Sequence, residues 1–174
     1  MTCMRALEWP PGTGKFLLHD QPGKGRGQGS GVKPIKDGFI YCLKSKGWET
    51  PKKLDIASLR KPGPLDAALR VGNRYFALEW ETGNVSSSHR SLNKMVLGMM
   101  KGVLIGGALI VPTRAMYEYL TDRIGNFEEI EPYFEVWRRA ETDEGLLIVV
   151  AIEHDGVSKE VPRIPKGTNG RALV

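Results

Sequence analysis

The chain has 174 residues, 41% hydrophobic and 26% charged, the size and balance of one soluble globular domain with its own core. The apolar run at residues 103–111 is shorter than the roughly 20 residues of a membrane helix and is flanked by Lys101 and Arg114. No secretory apolar region opens the sequence, so a membrane protein is excluded and a cytoplasmic one is expected.

The net charge of +5 is uneven: 12 Lys and Arg against 5 Asp and Glu up to Pro62, and 13 against 15 beyond it. A basic front half on Gly-rich sequence favours a polyanionic partner, although a Lys excess also serves solubility. Cys3 and Cys42 have no metal-ligand spacing and are expected to be reduced thiols.

In chain order, WPPGTGKF (residues 9–16) imitates a phosphate-binding loop. Trp9 stands where the motif opens on Gly, Phe16 stands where it needs a hydroxyl, and no buried strand precedes it. No nucleotide cofactor is expected. The Gly-rich residues 21–31 carry Lys24 and Arg26 and read either as a flexible linker or as a loop that follows a phosphate backbone. Ile35, Phe39, Ile40 and Leu43 give residues 34–46 a helical spacing, with Lys33, Lys36, Lys44 and Lys46 on or near the polar side and Gly47 at the end. Residues 50–64 form a basic, proline-broken connection.

Residues 65–84, LDAALRVGNRYFALEWETGN, read as a hairpin turning at Gly72 and Asn73. That register pairs Val71 with Arg74 and sets Asp66 opposite Glu79, with their Cβ atoms roughly 5 Å apart. Period-2 alternation puts Tyr75, Ala77, Glu79 and Glu81 on one face, and Arg74, Phe76, Leu78 and Trp80 on the other. Asp66, Glu79 and Glu81 then converge. Carboxylates this close repel unless a cation lies between them, and a hard divalent metal suits oxygen ligands. Acidic residues at strand ends are also ordinary on solvated faces, so the pattern needs its context.

The context follows at once. Ser86, Ser87 and Ser88 are N-cap candidates for a helix whose apolar stripe is Leu92, Met95, Val96, Met99 and Met100. Its start brings exposed N–H groups, Ser hydroxyls, His89, Arg90, Asn93 and Lys94 beside the carboxylates, a place for a phosphate or a base edge. Residues 103–111 read as a buried central strand ended by Pro112. Residues 116–123 and 127–139 read as helices, and residues 146–153 as another buried strand. The basic tail from Asp155 is expected to be loosely ordered. The outcome is one α/β domain, residues 1–154, with a mixed sheet flanked by helices on both faces; residues 1–32 form a basic Gly-rich lead-in and residues 33–154 the core.

This order, with Asp66 followed by ALEWETGN (residues 77–84), SSSHRSLNKM (86–95), GGALIVPTR (106–114) and DRIGN (122–126), resembles the PD-(D/E)XK nuclease fold, and within it the BglII/BamHI branch of type II restriction endonucleases. The resemblance spans roughly residues 31–153. It implies that Asp66 and Glu79 hold a catalytic magnesium ion, and that Glu81 takes the position where most PD-(D/E)XK nucleases carry Lys, as a general base or a further metal ligand. Pro64–Asp66 reads P-x-D in place of the signature P-D. The resemblance also implies that DNA is read from the helix start, through Asn84, Ser86, Ser87, Ser88, His89, Arg90, Asn93 and Lys94, and from the loop at Asp122 and Arg123. Lys33, from the basic front half, joins them as a DNA-contact candidate. Arg90 and Lys94 are candidates to steady the scissile phosphate.

The function expected is a magnesium-dependent endonuclease on double-stranded DNA. It would cut a short palindrome, possibly centred on GATC, as a homodimer whose symmetry matches the site. The alternatives are a non-specific, repair or phage DNA-processing nuclease, and a non-catalytic DNA-binding module of the same fold.

Overall fold

A computed structural model describes residues 3–23, 25, 28–56, 63–121, 124–142 and 144–165. The elements are β1 (Leu17–His19), α1 (Lys33–Ser45), β2 (Ala67–Val71), β3 (Arg74–Trp80), α2 (Val85–Met100), β4 (Leu104–Pro112), α3 (Arg114–Tyr117), α4 (Phe127–Ile130), α5 (Phe134–Arg138), β5 (Leu146–Ile152) and β6 (Gly156–Ser158), with a 3-10 turn at Glu131–Tyr133 between α4 and α5. Four strands make the main sheet in the order β2-β3-β4-β5, antiparallel at β2–β3 and parallel thereafter. The sheet is mixed, as expected.

The hairpin has the expected register, Val71 against Arg74, around Gly72 at φ +62°. A left-handed residue is needed there and glycine adopts it without steric cost. Alternation along β3 and β4 sends side chains to two cores. Leu78, Trp80 and Ile110 meet Ile35, Phe39 and Leu43 of α1, with the Phe39 and Trp80 rings 5.2 Å apart. On the opposite face Ala68 and Ala77 meet Met95, Val96 and Met99 of α2, while Leu109 and Val111 meet Leu92 and Ile130. Helices therefore cover both faces. Gly107 sets the closeness of α2, because a Cβ there would come within 2.6 Å of Met95 Sδ.

Several expectations change. Residues 116–123 do not form a helix of that length. One turn, Arg114–Tyr117, starts at a Thr113 cap, and Tyr119 and Thr121 then exchange backbone hydrogen bonds with Ser30. Backbone pairing to a distant segment has replaced further helical bonds. Residues 127–139 break into α4, the 3-10 turn and α5, because Pro132 lacks the N–H a continuous helix needs. Strand β5 is not buried: it is the last strand of the sheet, and Leu146 is 57% exposed.

The tail beyond residue 154 is packed as far as residue 165. β6 pairs in parallel with β1, Val161 and Ile164 are buried, and Gly31 N–H donates to Ile164 O at 2.8 Å. Cys3 and Cys42 are joined in a disulfide, in place of the reduced thiols expected. In the Gly loop, the Glu8 carboxylate accepts from Gly12 N–H at 2.8 Å and Gly14 N–H at 2.9 Å. The anion in this imitation phosphate loop is the chain's own, and those amides hold the Glu8 carboxyl below its usual range. Lys24 and Arg26 lie outside the described residues. Among the described residues no helix is long and apolar enough to cross a membrane.

Candidate active site

The hairpin ends bring Asp66 and Glu79 together. Ala67 pairs with Leu78, so the next position outward sets Asp66 against Glu79. Backbone bonds lock the pair: Trp80 N–H donates to Asp66 Oδ2 at 2.8 Å, and Asp66 N–H donates to Glu79 Oε2 at 3.3 Å. Each carboxylate thus spends one oxygen on the backbone and turns the other to a lysine. Lys36 Nζ of α1 lies 2.6 Å from Asp66 Oδ1, and Lys94 Nζ of α2 lies 3.9 Å from Glu79 Oε1. Lys94 also donates to Gly63 O at 2.8 Å.

These groups line a cleft of about 1000 Å³ between the hairpin end and α2. Burial, followed by the charge of Asp66, pushes the Glu79 carboxyl up to about 7, while Lys94, Asp66 N–H and Lys36 pull it back. Burial lowers Lys94, with Arg90 adding to the effect and Glu79 opposing it. Two close carboxylates in a half-buried place are short of positive charge, and two ammonium groups stand where that charge is needed. The two oxygens not held by the backbone are of the kind that a hard divalent cation such as magnesium takes.

Glu81 does not join them. β3 stops at Trp80, and Glu81 N–H donates to Ile110 O at 2.8 Å as the chain turns toward α2. Its side chain is 5% exposed and accepts from the Ser88 hydroxyl and from Gly83 N–H. Among the described residues no three His, Cys, Asp or Glu side chains gather to hold a metal. The expected convergence of three carboxylates is in fact a pair, Asp66 and Glu79, with two lysines. Strand alternation failed at its last step because the strand itself had ended.

The cap of α2 is Asn84, whose Oδ1 accepts from Ser87 N–H at 3.2 Å, and not one of the serines. Ser88 is fully buried against Glu81. Ser86, Ser87, His89, Arg90, Asn93 and Lys94 line the cleft with Asp66 and Glu79. Lys33 does not line it; it is exposed and pairs with Asp37 one turn along α1. Asp122 and Arg123 lie outside the described residues, but the end of their motif docks beside the site. Gly125 N–H donates to Gly83 O at 2.8 Å, and a Cβ on Gly125 would come within 2.7 Å of Ser88 Oγ.

Two residues that sequence reasoning did not single out bear on the cleft: Lys36 lines it, and Trp137 contacts two of its lining side chains. Lys36 was one of four lysines on a polar helix face, and nothing local tells which of them meets Asp66. Trp137 packs 5.5 Å from the His89 ring and donates from its indole to Asn93. No signal marked it except its helical spacing with Phe134.

The family described as restriction endonuclease BamHI matches residues 2–171. The type II restriction enzyme OkrAI of Oceanobacter kriegii is 51% identical over 170 residues, covering 98% of this chain and 85% of that enzyme. The type II restriction enzyme BamHI of Bacillus amyloliquefaciens is 38% identical over 154 residues, covering 81% of this chain and 67% of that enzyme. In fold the chain is similar to restriction endonuclease BglII, in a crystal structure with a DNA 16-mer. The TM-score is 0.50 at 10% identity, over 75% of this chain and 64% of that one. With the family matched over nearly its whole length, the chain belongs to the BamHI family of type II restriction endonucleases.

Proposed function

We propose that this chain is a magnesium-dependent endonuclease that hydrolyses double-stranded DNA at a short palindromic site, centred on GATC, as a cytoplasmic homodimer. The observation that carries the reading is the Asp66–Glu79 pair: two cross-bonded carboxylates, each with one oxygen on the backbone and the other turned to a lysine, on the wall of a cleft that the start of α2 also lines. Magnesium bound by Asp66 and Glu79 would supply charge against the scissile phosphate and a more acidic water. Lys94 and Arg90 line the same cleft and offset the phosphate charge there. Ser86, Ser87, His89 and Asn93 give the DNA hydroxyl, imidazole and amide partners along the first turns of α2. Asn84 and Ser88 hold that helix start in place, and Asp122, Arg123 and Lys33 complete the proposed DNA contacts. Glu81, held at the turn from β3 into α2 by Ser88 and Gly83, completes the proposed catalytic set as general base, the metal-ligand role being set aside because it does not gather with Asp66 and Glu79. The palindromic site and the homodimer are proposed together, because a two-fold protein matches a two-fold site.

The test is incubation with long unmethylated DNA, with magnesium and with EDTA. Discrete, EDTA-sensitive bands are expected, with end sequencing to give the site. A magnesium-dependent smear would overturn the palindromic reading in favour of a non-specific nuclease. Tight, salt-sensitive binding without cleavage would leave a DNA-binding module.

A further inference from the structure

Lys36 and Lys94 both face the carboxylate pair, but they do so differently. Lys94 is anchored elsewhere, donating to Gly63 O at 2.8 Å while standing 3.9 Å from Glu79 Oε1. Lys36 Nζ pairs with Asp66 Oδ1 at 2.6 Å, and both side chains are about 20% exposed. The other Asp66 oxygen is already taken by Trp80 N–H at 2.8 Å. Oδ1 is therefore the oxygen that Asp66 can give to a metal ion, and Lys36 sits on it. An ammonium seated 2.6 Å from Oδ1 repels a divalent cation that approaches the same oxygen, because the two are like charges at short range.

We propose that Lys36 is a built-in surrogate cation: it neutralises Asp66 while the site is empty, and an incoming metal ion must displace it. This rests on the proposed metal role of Asp66 and Glu79 and goes beyond it by naming the group that sets the metal requirement. Two consequences follow. Lys36 costs metal affinity, because its ion pair is broken on binding. It also keeps the metal-free fold intact, because without it Asp66 and Glu79 repel with one counter-charge fewer.

The experiment titrates Mn2+, an oxygen-seeking substitute for Mg2+, into DNA-free protein by calorimetry, and melts each variant in EDTA. K36M keeps the aliphatic stem and removes the ammonium. It is expected to tighten Mn2+ binding about three- to tenfold, the range of a partly buried ion pair, and to lower the metal-free melting temperature. K94M removes the same charge at a longer distance and is expected to tighten binding by less than about threefold. In a D66N background K36M is expected to leave the melting temperature unchanged. Equal gains from K36M and K94M, or no gain from K36M while D66N abolishes binding, would overturn the displacement and leave the metal site standing. Full Mn2+ binding by D66N would overturn the metal-site reading and this inference with it.

Discussion

Trp137 donates its indole N–H to Asn93 Oδ1 at 2.8 Å, across the junction of α5 and α2. An indole can only donate, so the Asn93 oxygen must face it, and the amide cannot flip without losing the bond. The DNA contact proposed for Asn93, which lines the cleft, would then use its amino group as a donor toward a phosphate oxygen or a purine acceptor. W137F keeps an aromatic ring but lets the amide turn. It is expected to weaken DNA binding about three- to tenfold, the worth of roughly one oriented hydrogen bond, in gel shifts run in calcium. Unchanged affinity would mean that Asn93 does not touch DNA.

Glu79 offers the second test. E79A removes one of the two proposed metal ligands and should reduce cleavage by more than about a hundredfold, beyond what loss of a supporting outer-shell contact costs. DNA binding in calcium should survive, because the lining of the α2 start is untouched. Cleavage at the native rate would remove the metal-site reading.

The pH dependence has a definite sign. The Glu79 carboxyl sits at about 7 in the fold against 4.5 for the ordinary group, so the folded protein holds this proton more tightly than the unfolded chain. Its contribution is complete below about pH 4.5 and fades as the pH rises through 7. Between pH 5 and 8 this one group should cost the metal-free protein up to about 3 kcal/mol, which E79Q should largely abolish. Urea melts of both proteins in EDTA across that range provide the check. Divalent metal should restore stability at pH 8 in the native protein and not in E79Q.

Glu81 should respond differently. Its carboxylate is buried and satisfies both the Ser88 hydroxyl and Gly83 N–H, so E81A strands a buried hydroxyl and a part-buried amide. A loss of about 2–4 kcal/mol is expected by urea denaturation, where E79Q at neutral pH should lose none. Stability retained in E81A with cleavage abolished would instead identify Glu81 as the proton acceptor.

Much of this was legible locally. The Gly72–Asn73 turn fixed the hairpin register, and the register alone placed Asp66 against Glu79. The α2 stripe is buried at Leu92, Met95, Val96 and Met99 as its spacing implied, but Met100, counted with them, is exposed at the helix end. What local patterns missed came from distance. Lys36 reaches Asp66 across thirty positions, and which of the α1 lysines does so depends on how the helix docks on Trp80. Glu81 left the carboxylate face because Ser88, one turn into the next helix, offered a buried donor. The tail looked dispensable because its partners lie near the other end of the chain.

That last arrangement bears on how the molecule is made. Leu17 finds its strand partner only at Gly156, and Phe16 N–H is held by Asp155 at a separation of 139 positions. On a ribosome, which releases some 5–20 residues each second, the opening segment must wait while nearly all the rest is synthesised. Closing so long a loop comes late because its entropy is lost before any contact rewards it. The hairpin and α2 can pair locally in the meantime, so the catalytic wall should take shape before the opening segment is sewn down. A nascent chain stalled short of residue 156 would then present that wall with Leu17–His19 still without their strand partner.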